Sequence, residues 1–131
     1  MIQYSFDHNL QASDVAEVFR LSGMKRPFAD LERIQRMIDN AHVIVSAWEK
    51  GKMIGIARAI TDFSYCCYLS DLAVIQQHQQ VGVGKQLVQH VQDRIGDECC
   101  LLLLAAPGAM DYYPKIGFEK AENAFLIKRK Q

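Results

Sequence analysis

The period at which apolar residues recur changes several times along this chain, and each change predicts an element. Ile2 to Phe6 alternates as a short strand. Ser13, with Asp14 and Glu17 in the turn that follows, reads as the cap of a helix whose apolar face is Val15, Val18 and Phe19. Gly23 and Pro27 interrupt, and Leu31, Ile34, Met37 and Ile38 mark a second helix. His42–Trp48 and Met53–Ile60 are apolar runs on either side of Glu49-Lys50-Gly51-Lys52, which predicts a hairpin. Cys66–Val74 reads as a further strand, and Val83, Leu87, Val88, Val91 and Ile95 recur at helical spacing. Cys99–Pro107 is the longest apolar run and predicts a buried parallel strand. A short helix near Ala109–Lys115 and two short strands, near Phe118 and over Phe125–Lys128, complete the pattern. Strands interleaved with helices predict a mixed α/β sandwich with helices on both faces of a central sheet.

Between the strand ending at Val74 and the helix beginning near Val83 lies Gln79-Gln80-Val81-Gly82-Val83-Gly84. A strand, a turn with two close glycines and a helix start together form an anion cradle. Glycine lets the backbone approach a phosphate, and a helix N-terminus offers unpaired N–H groups. Two common phosphate loops do not fit. A dinucleotide fingerprint requires a third glycine where Leu87 stands, and a Walker A loop requires Ser or Thr where Gln86 stands.

Gln79-x-x-Gly82-x-Gly84 resembles the coenzyme A pyrophosphate loop of the GNAT (Gcn5-related) N-acetyltransferases. Tyr112-Tyr113-Pro114-Lys115-Ile116-Gly117-Phe118 is similar to that family's second signature, and Leu69–Val74 stands where the family has its central strand. The resemblance is concentrated from Trp48 onward. It implies a mostly antiparallel central sheet flanked by helices on both faces, with splayed central strands between which the pantetheine arm of acetyl-CoA inserts. By resemblance the backbone of Leu72, Ala73 and Val74 pairs with that arm, and the Val74 N–H polarises the thioester oxygen. Gln80, Val81, Gly82, Val83, Gly84 and Lys85 offer backbone amides to the pyrophosphate, while Gln79 stands in for the arginine frequent there. Ala106 replaces an asparagine that often contacts the arm.

The same resemblance assigns Tyr113 as the acid that protonates the departing thiolate, with Tyr112 in a packing role. A phenol of pKa about 10 can donate to a thiolate whose conjugate acid is of similar strength. An acceptor amine also needs a proton acceptor. Asp71, beside the expected thioester position, is the first candidate and Asp62 the second. Arg58 lies in a segment similar to one in several small bacterial and plastid members, facing either substrate or solvent.

Composition narrows the remaining classes. Fifteen basic and fifteen acidic residues give no net charge, and no basic stripe is present, which argues against nucleic acid as partner. No run reaches membrane-span length, and the first residues lack a secretory pattern. Cys66-Cys67 and Cys99-Cys100 suit neither zinc nor a disulfide within a pair, and read as buried small hydrophobes in a reducing compartment. No metal site is expected. Residues 1–131 read as one domain. The function expected is a cytoplasmic N-acetyltransferase moving the acetyl group of acetyl-CoA to a small-molecule primary amine by direct attack in a ternary complex. A non-catalytic acyl-CoA sensor and a transferase for protein N-termini or lysines are the alternatives. Dimers are common among similar proteins, so a homodimer is the partner the resemblance suggests.

Overall fold

A computed structural model describes all of residues 1–131. Five strands form one sheet in chain order: β1 (Gln3–Ser5), β2 (Val43–Glu49), β3 (Lys52–Thr61), β4 (Cys66–Val74) and β5 (Cys100–Leu102). The first four pair antiparallel, and β5 alone runs parallel to its neighbour β4. Helices α1 (Ala12–Ser22), α2 (Leu31–Asp39), α3 (Val83–Ile95) and α4 (Tyr112–Lys115) complete the fold. Five consecutive buried residues, Val43–Ala47 on β2, show that both faces of the sheet are covered. α1 packs on β3 and β4, α2 leans on α1, and α3 crosses β2, β3 and β4. No helix is long and apolar enough to cross a membrane.

Local chemistry explains most boundaries. α1 buries Val15, Val18 and Phe19 and ends at Gly23, whose φ of 84° is a left-handed cap. Its start corrects the expected cap. The helix begins at Ala12, so Ser13 lies inside the first turn. Leu10 and Ala12 pack against the core, and Gln11 O accepts the first helical bond in place of a Ser13 cap. Asp30 caps α2 by accepting from the Arg33 N–H at 3.1 Å. Lys50 and Gly51, both at positive φ, form the two-residue turn joining β2 to β3, as the sequence predicts.

The chain after α3 departs from expectation. Cys99–Pro107 forms a strand only at Cys100–Leu102, and it is buried on one face: Leu101 and Leu103 pack on the core while Leu102 and Leu104 are exposed. The strands expected near Phe118 and over Phe125–Lys128 are absent, and residues 119–131 are exposed. No strand therefore pairs with the outer edge of β5, and the face bearing Leu102 and Leu104 is left open, so the apolar run is buried on one side only. The cysteines divide likewise. All four are free thiols; Cys67 is buried and Cys99 half-buried, but Cys66 and Cys100 are exposed, opposite each other across β4 and β5.

Asp62 pins the connection from β3 to β4. Its Oδ1 accepts from the N–H groups of Ser64, Tyr65 and Cys66 at 2.9, 2.8 and 3.1 Å. These bonds, that from Ser64 foremost, hold its carboxyl below the ordinary 3.8, at about 2. A depressed carboxyl stabilises the fold above its unfolded pKa and ceases to as pH falls through the folded value. Asp62→Ala should therefore melt below the parent at neutral pH, and the gap should close between pH 3.8 and about 2. A gap that is constant through that range in thermal melts would deny the turn this role.

Candidate active site

β4 is the element around which the site is built. On one edge it pairs with β3 as far as Val74 opposite Gly55. On the other it pairs with β5 only at Cys66, Cys67 and Tyr68. From Leu69 onward that second edge has no strand beside it, so the two strands open into a V. The register with β3 skips one residue: Arg58 faces Asp71 and Ala59 faces Leu69, leaving Ser70 as a bulge where the opening begins. Beyond the bulge the Ile75 N–H donates to Ile54 O on β3 at 2.9 Å. Successive strand residues direct their amides to opposite edges, so the amides of Val74 and Leu72 point into the V. The sequence places Leu72, Ala73 and Val74 on this strand but does not reveal that its edge is free.

The glycine loop supplies the second feature. Gln80 and Gly82 take left-handed conformations at φ 73° and 89°, and Gly82 caps α3. The first helical bond is from Gln86 N to Gly82 O, at 3.1 Å. None of the consecutive amides of Gln80, Val81, Gly82, Val83, Gly84 and Lys85 donates to any acceptor in the chain. Val83 is buried and Lys85 and Val81 are exposed, so the loop is anchored by one side chain with its backbone turned outward. Free amides at the start of a helix of this length attract an anion.

Gln79 differs from expectation. Its Nε2 donates to Val74 O at 2.8 Å and to Ser22 O at 3.3 Å. The amide thus ties the loop to β4 and to the end of α1, and is not turned toward the anion position.

The two tyrosines open α4, and Tyr112 reaches the start of α3. Tyr112 brings its hydroxyl against the Cα of Gly84, where any side chain would overlap it. Tyr113 stacks edge-on with Tyr112 and with Phe118, at centroid separations of 5.2 and 5.5 Å. Burial raises the Tyr113 hydroxyl above its ordinary pKa, Tyr112 adds to the rise and the Arg26 charge opposes it. The phenol is in its donor form, and burial makes it a weaker acid than an ordinary tyrosine. Sequence spacing finds Tyr113 but not its neighbour Arg26.

Asp71 is fully buried and held by two guanidinium groups. Arg26 Nε donates to Oδ1 and Arg58 Nε to Oδ2, both at 2.5 Å. Arg26 Nη2 also donates to Ser70 O at 2.8 Å, and Arg58 Nη2 to Ser70 Oγ at 3.0 Å. This corrects the expectation that Asp71 accepts a proton from substrate, because both oxygens are engaged and neither meets solvent. Asp62, the second candidate, is spent on its own turn and lowered to about 2, the wrong direction for a base. Arg58, whose facing the sequence left open, turns inward. Arg26 carries no local signal, since its partner lies 45 positions away. No group of three His, Cys, Asp or Glu side chains is placed to hold a metal ion.

Comparison with known proteins agrees with this geometry. A family model for the acetyltransferase (GNAT) domain matches residues 11–128. An uncharacterized N-acetyltransferase ycf52 from Pyropia yezoensis is 28% identical over 74% of the chain, and its namesake from Gracilaria tenuistipitata var. liui is 29% identical over 89%. The chain spans 58% and 66% of the lengths of those two relatives. Among solved structures, a protein of unknown function from meticillin-resistant Staphylococcus aureus superposes with a TM-score of 0.84 at 24% identity, covering 98% of this chain and all of that one. The aminoglycoside N-acetyltransferase AAC(6′)-Iy, solved with CoA, gives 0.76 at 17% identity, covering 100% of this chain and 96% of its own. At such identities the structures establish a shared fold.

The Tyr112–Gly84 contact makes a testable pair. Gly84→Ala should cost about 1–3 kcal/mol of stability, as overpacking does. In a Tyr112→Phe background the nearest remaining atom is a ring carbon at 3.5 Å, and the cost should largely vanish. A double-mutant cycle by denaturant unfolding reads the coupling; additive effects would contradict the packing described.

Proposed function

This chain belongs to the acetyltransferase (GNAT) domain family, and from that membership we propose that it transfers the acetyl group of acetyl-CoA to a primary amine of a small molecule. The observation that carries the reading is the run of unpartnered amides from Gln80 to Lys85 beside the unpaired edge of β4. One feature suits a pyrophosphate and the other an extended amide-bearing arm, so together they match two adjoining parts of coenzyme A. Tyr112 packed on Gly84 accounts for a glycine at that position without reference to any ligand, so Gly82 and the free amides support the reading more strongly than Gly84 does.

In the proposed reaction the pyrophosphate meets the amides of residues 80–85, and the pantetheine arm lies along Leu72, Ala73 and Val74. Gln79 already donates to the Val74 carbonyl, which leaves the Val74 N–H as the polar group directed at the thioester oxygen. A preorganised donor of this kind contributes about 3 kcal/mol to stabilising the developing oxyanion. The amine attacks the thioester carbon directly, and the tetrahedral adduct collapses by expelling the coenzyme A thiolate. The Tyr113 hydroxyl then gives the thiolate its proton. Proton loss from the ammonium is assigned to water, because Asp71 and Asp62 are both engaged. That same lack of a free carboxylate favours the second reading, an acyl-CoA-binding module without turnover.

Acetyl-CoA at about a hundred times its dissociation constant should add about 2.7 kcal/mol to stability, measured as a rise in melting temperature that NAD and ATP do not produce. Amine-dependent thiol release distinguishes enzyme from sensor. Tyr113→Phe should lower kcat on the order of 10²-fold while keeping the acetyl-CoA melting shift. An unchanged kcat would remove Tyr113 as the acid, and no shift with acetyl-CoA would end both readings.

A further inference from the structure

The Arg26–Asp71–Arg58 cluster carries one positive charge too many. Asp71 supplies a single carboxylate, and no other acidic side chain lies within ion-pair distance of either arginine. Arg58 can shed little of that charge into water, since its side chain is only 11% exposed. A charge held this far from solvent is costly unless paired. On Arg26 every guanidinium nitrogen makes a bond within the chain: Nε goes to Asp71, Nη1 to Lys25 O and Nη2 to Ser70 O. On Arg58 one nitrogen does not. Its Nε and Nη2 are engaged, but Nη1 donates to nothing in the chain. Nor is Nη1 sealed, because His78 Nδ1 is the only enclosed side-chain polar atom without a partner.

Position decides what the spare donor can meet. Arg58 faces Asp71 across the Ser70 bulge, where β4 leaves β5 and the V opens. Asp71, which both guanidinium groups hold, directly precedes Leu72 on the stretch of β4 that β5 leaves unpaired, so the cluster borders the place where transfer is proposed. The amides that attract the coenzyme's phosphates lie past the far end of β4, beyond Val74. We propose that Arg58, held in place by Asp71 and Arg26, receives a carboxylate carried by the acceptor, so that the substrate class is amines bearing a carboxylate, such as amino acids. A monoanion matches the single surplus charge, and guanidinium N–H groups suit carboxylate oxygens. Asp71 is a positioning residue in this arrangement: it holds both guanidinium groups beside the bulge and does not touch the acceptor. The inference rests on the acetyl-transfer reading for its chemistry, but not for its test.

The test is binding of product-like ligands, which needs no turnover. Pools of N-acetylated amino acids and of their carboxamides are compared by ligand-observed NMR on the full chain with coenzyme A present. The free acids should bind about tenfold more tightly than the amides, the effect of one charge-assisted contact. Arg58→Gln should bring the two pools to near parity, and Arg58→Lys, which keeps the charge but not the planar fork, should retain part of the preference. Melting curves verify that the variants are folded, and Arg58→Lys serves should Arg58→Gln not fold. Equal binding of acids and amides by the parent would overturn the proposal, as would a preference unchanged in a folded Arg58 variant. Acid preference without thiol release from any amine would leave the carboxylate site standing and remove the acetyl-transfer reading; thiol release without acid preference would do the reverse.

Discussion

A strand inside a sheet has backbone amides on both edges, and each buried amide needs a partner. β4 satisfies one edge along its full length against β3, but loses β5 after Tyr68. The features of the proposed site are arranged around the length of edge left over. The bulge at Ser70 turns the strand where the pairing ends, α3 begins just beyond its far end, and Tyr112 of α4 rests on Gly84 at the start of α3. The unpaired edge persists because the core holds β4 in place without β5: Leu69, Ala73 and Val74 are buried in the main cluster, beneath α1 and α3. An open backbone edge is a liability in most folds. Here it faces a cleft, where an extended ligand can take the place of the missing strand.

The polar groups near this edge divide between holding it and using it. Gln79 ties the loop to β4 and α1, and Asp71 ties the segment after α1 to β3 and β4. Both are residues whose type suggests chemistry, and both are consumed by architecture. The groups with unused capacity are less conspicuous: backbone amides of the loop and of the β4 edge, the hydroxyls of Tyr112 and Tyr113, and a guanidinium nitrogen of Arg58. Catalysis and recognition depend on unsatisfied donors that face the cleft. Counting which polar groups are already engaged therefore separates scaffold from site better than residue type does.

Several features were legible from local pattern alone. The hairpin at Lys50-Gly51, the helical faces of α1, α2 and α3, and the glycine loop all depend on residues close together in the chain, where period and turn chemistry act directly. Errors arose where the partner was distant. Ser13 looks like a cap until Leu10 and Ala12 are seen packing on the core. Cys99–Pro107 looks buried on both faces because it is apolar throughout, whereas only a layer packed on each face can bury it. Asp71 looks like a free carboxylate because Arg26 is 45 positions away.

The sequence by itself determined the order of elements from β1 to α4, the glycine loop and the aromatic pair, because each is encoded in consecutive residues with a fixed local geometry. Tertiary structure alone decided where β4 parts from β5, which of Tyr112 and Tyr113 rests on Gly84, and that two arginines enclose one aspartate. These outcomes depend on which distant backbone and side-chain groups find one another when the sheet closes. A donor is free or engaged only relative to such partners, so the capacity for chemistry at this site becomes visible only in the folded chain.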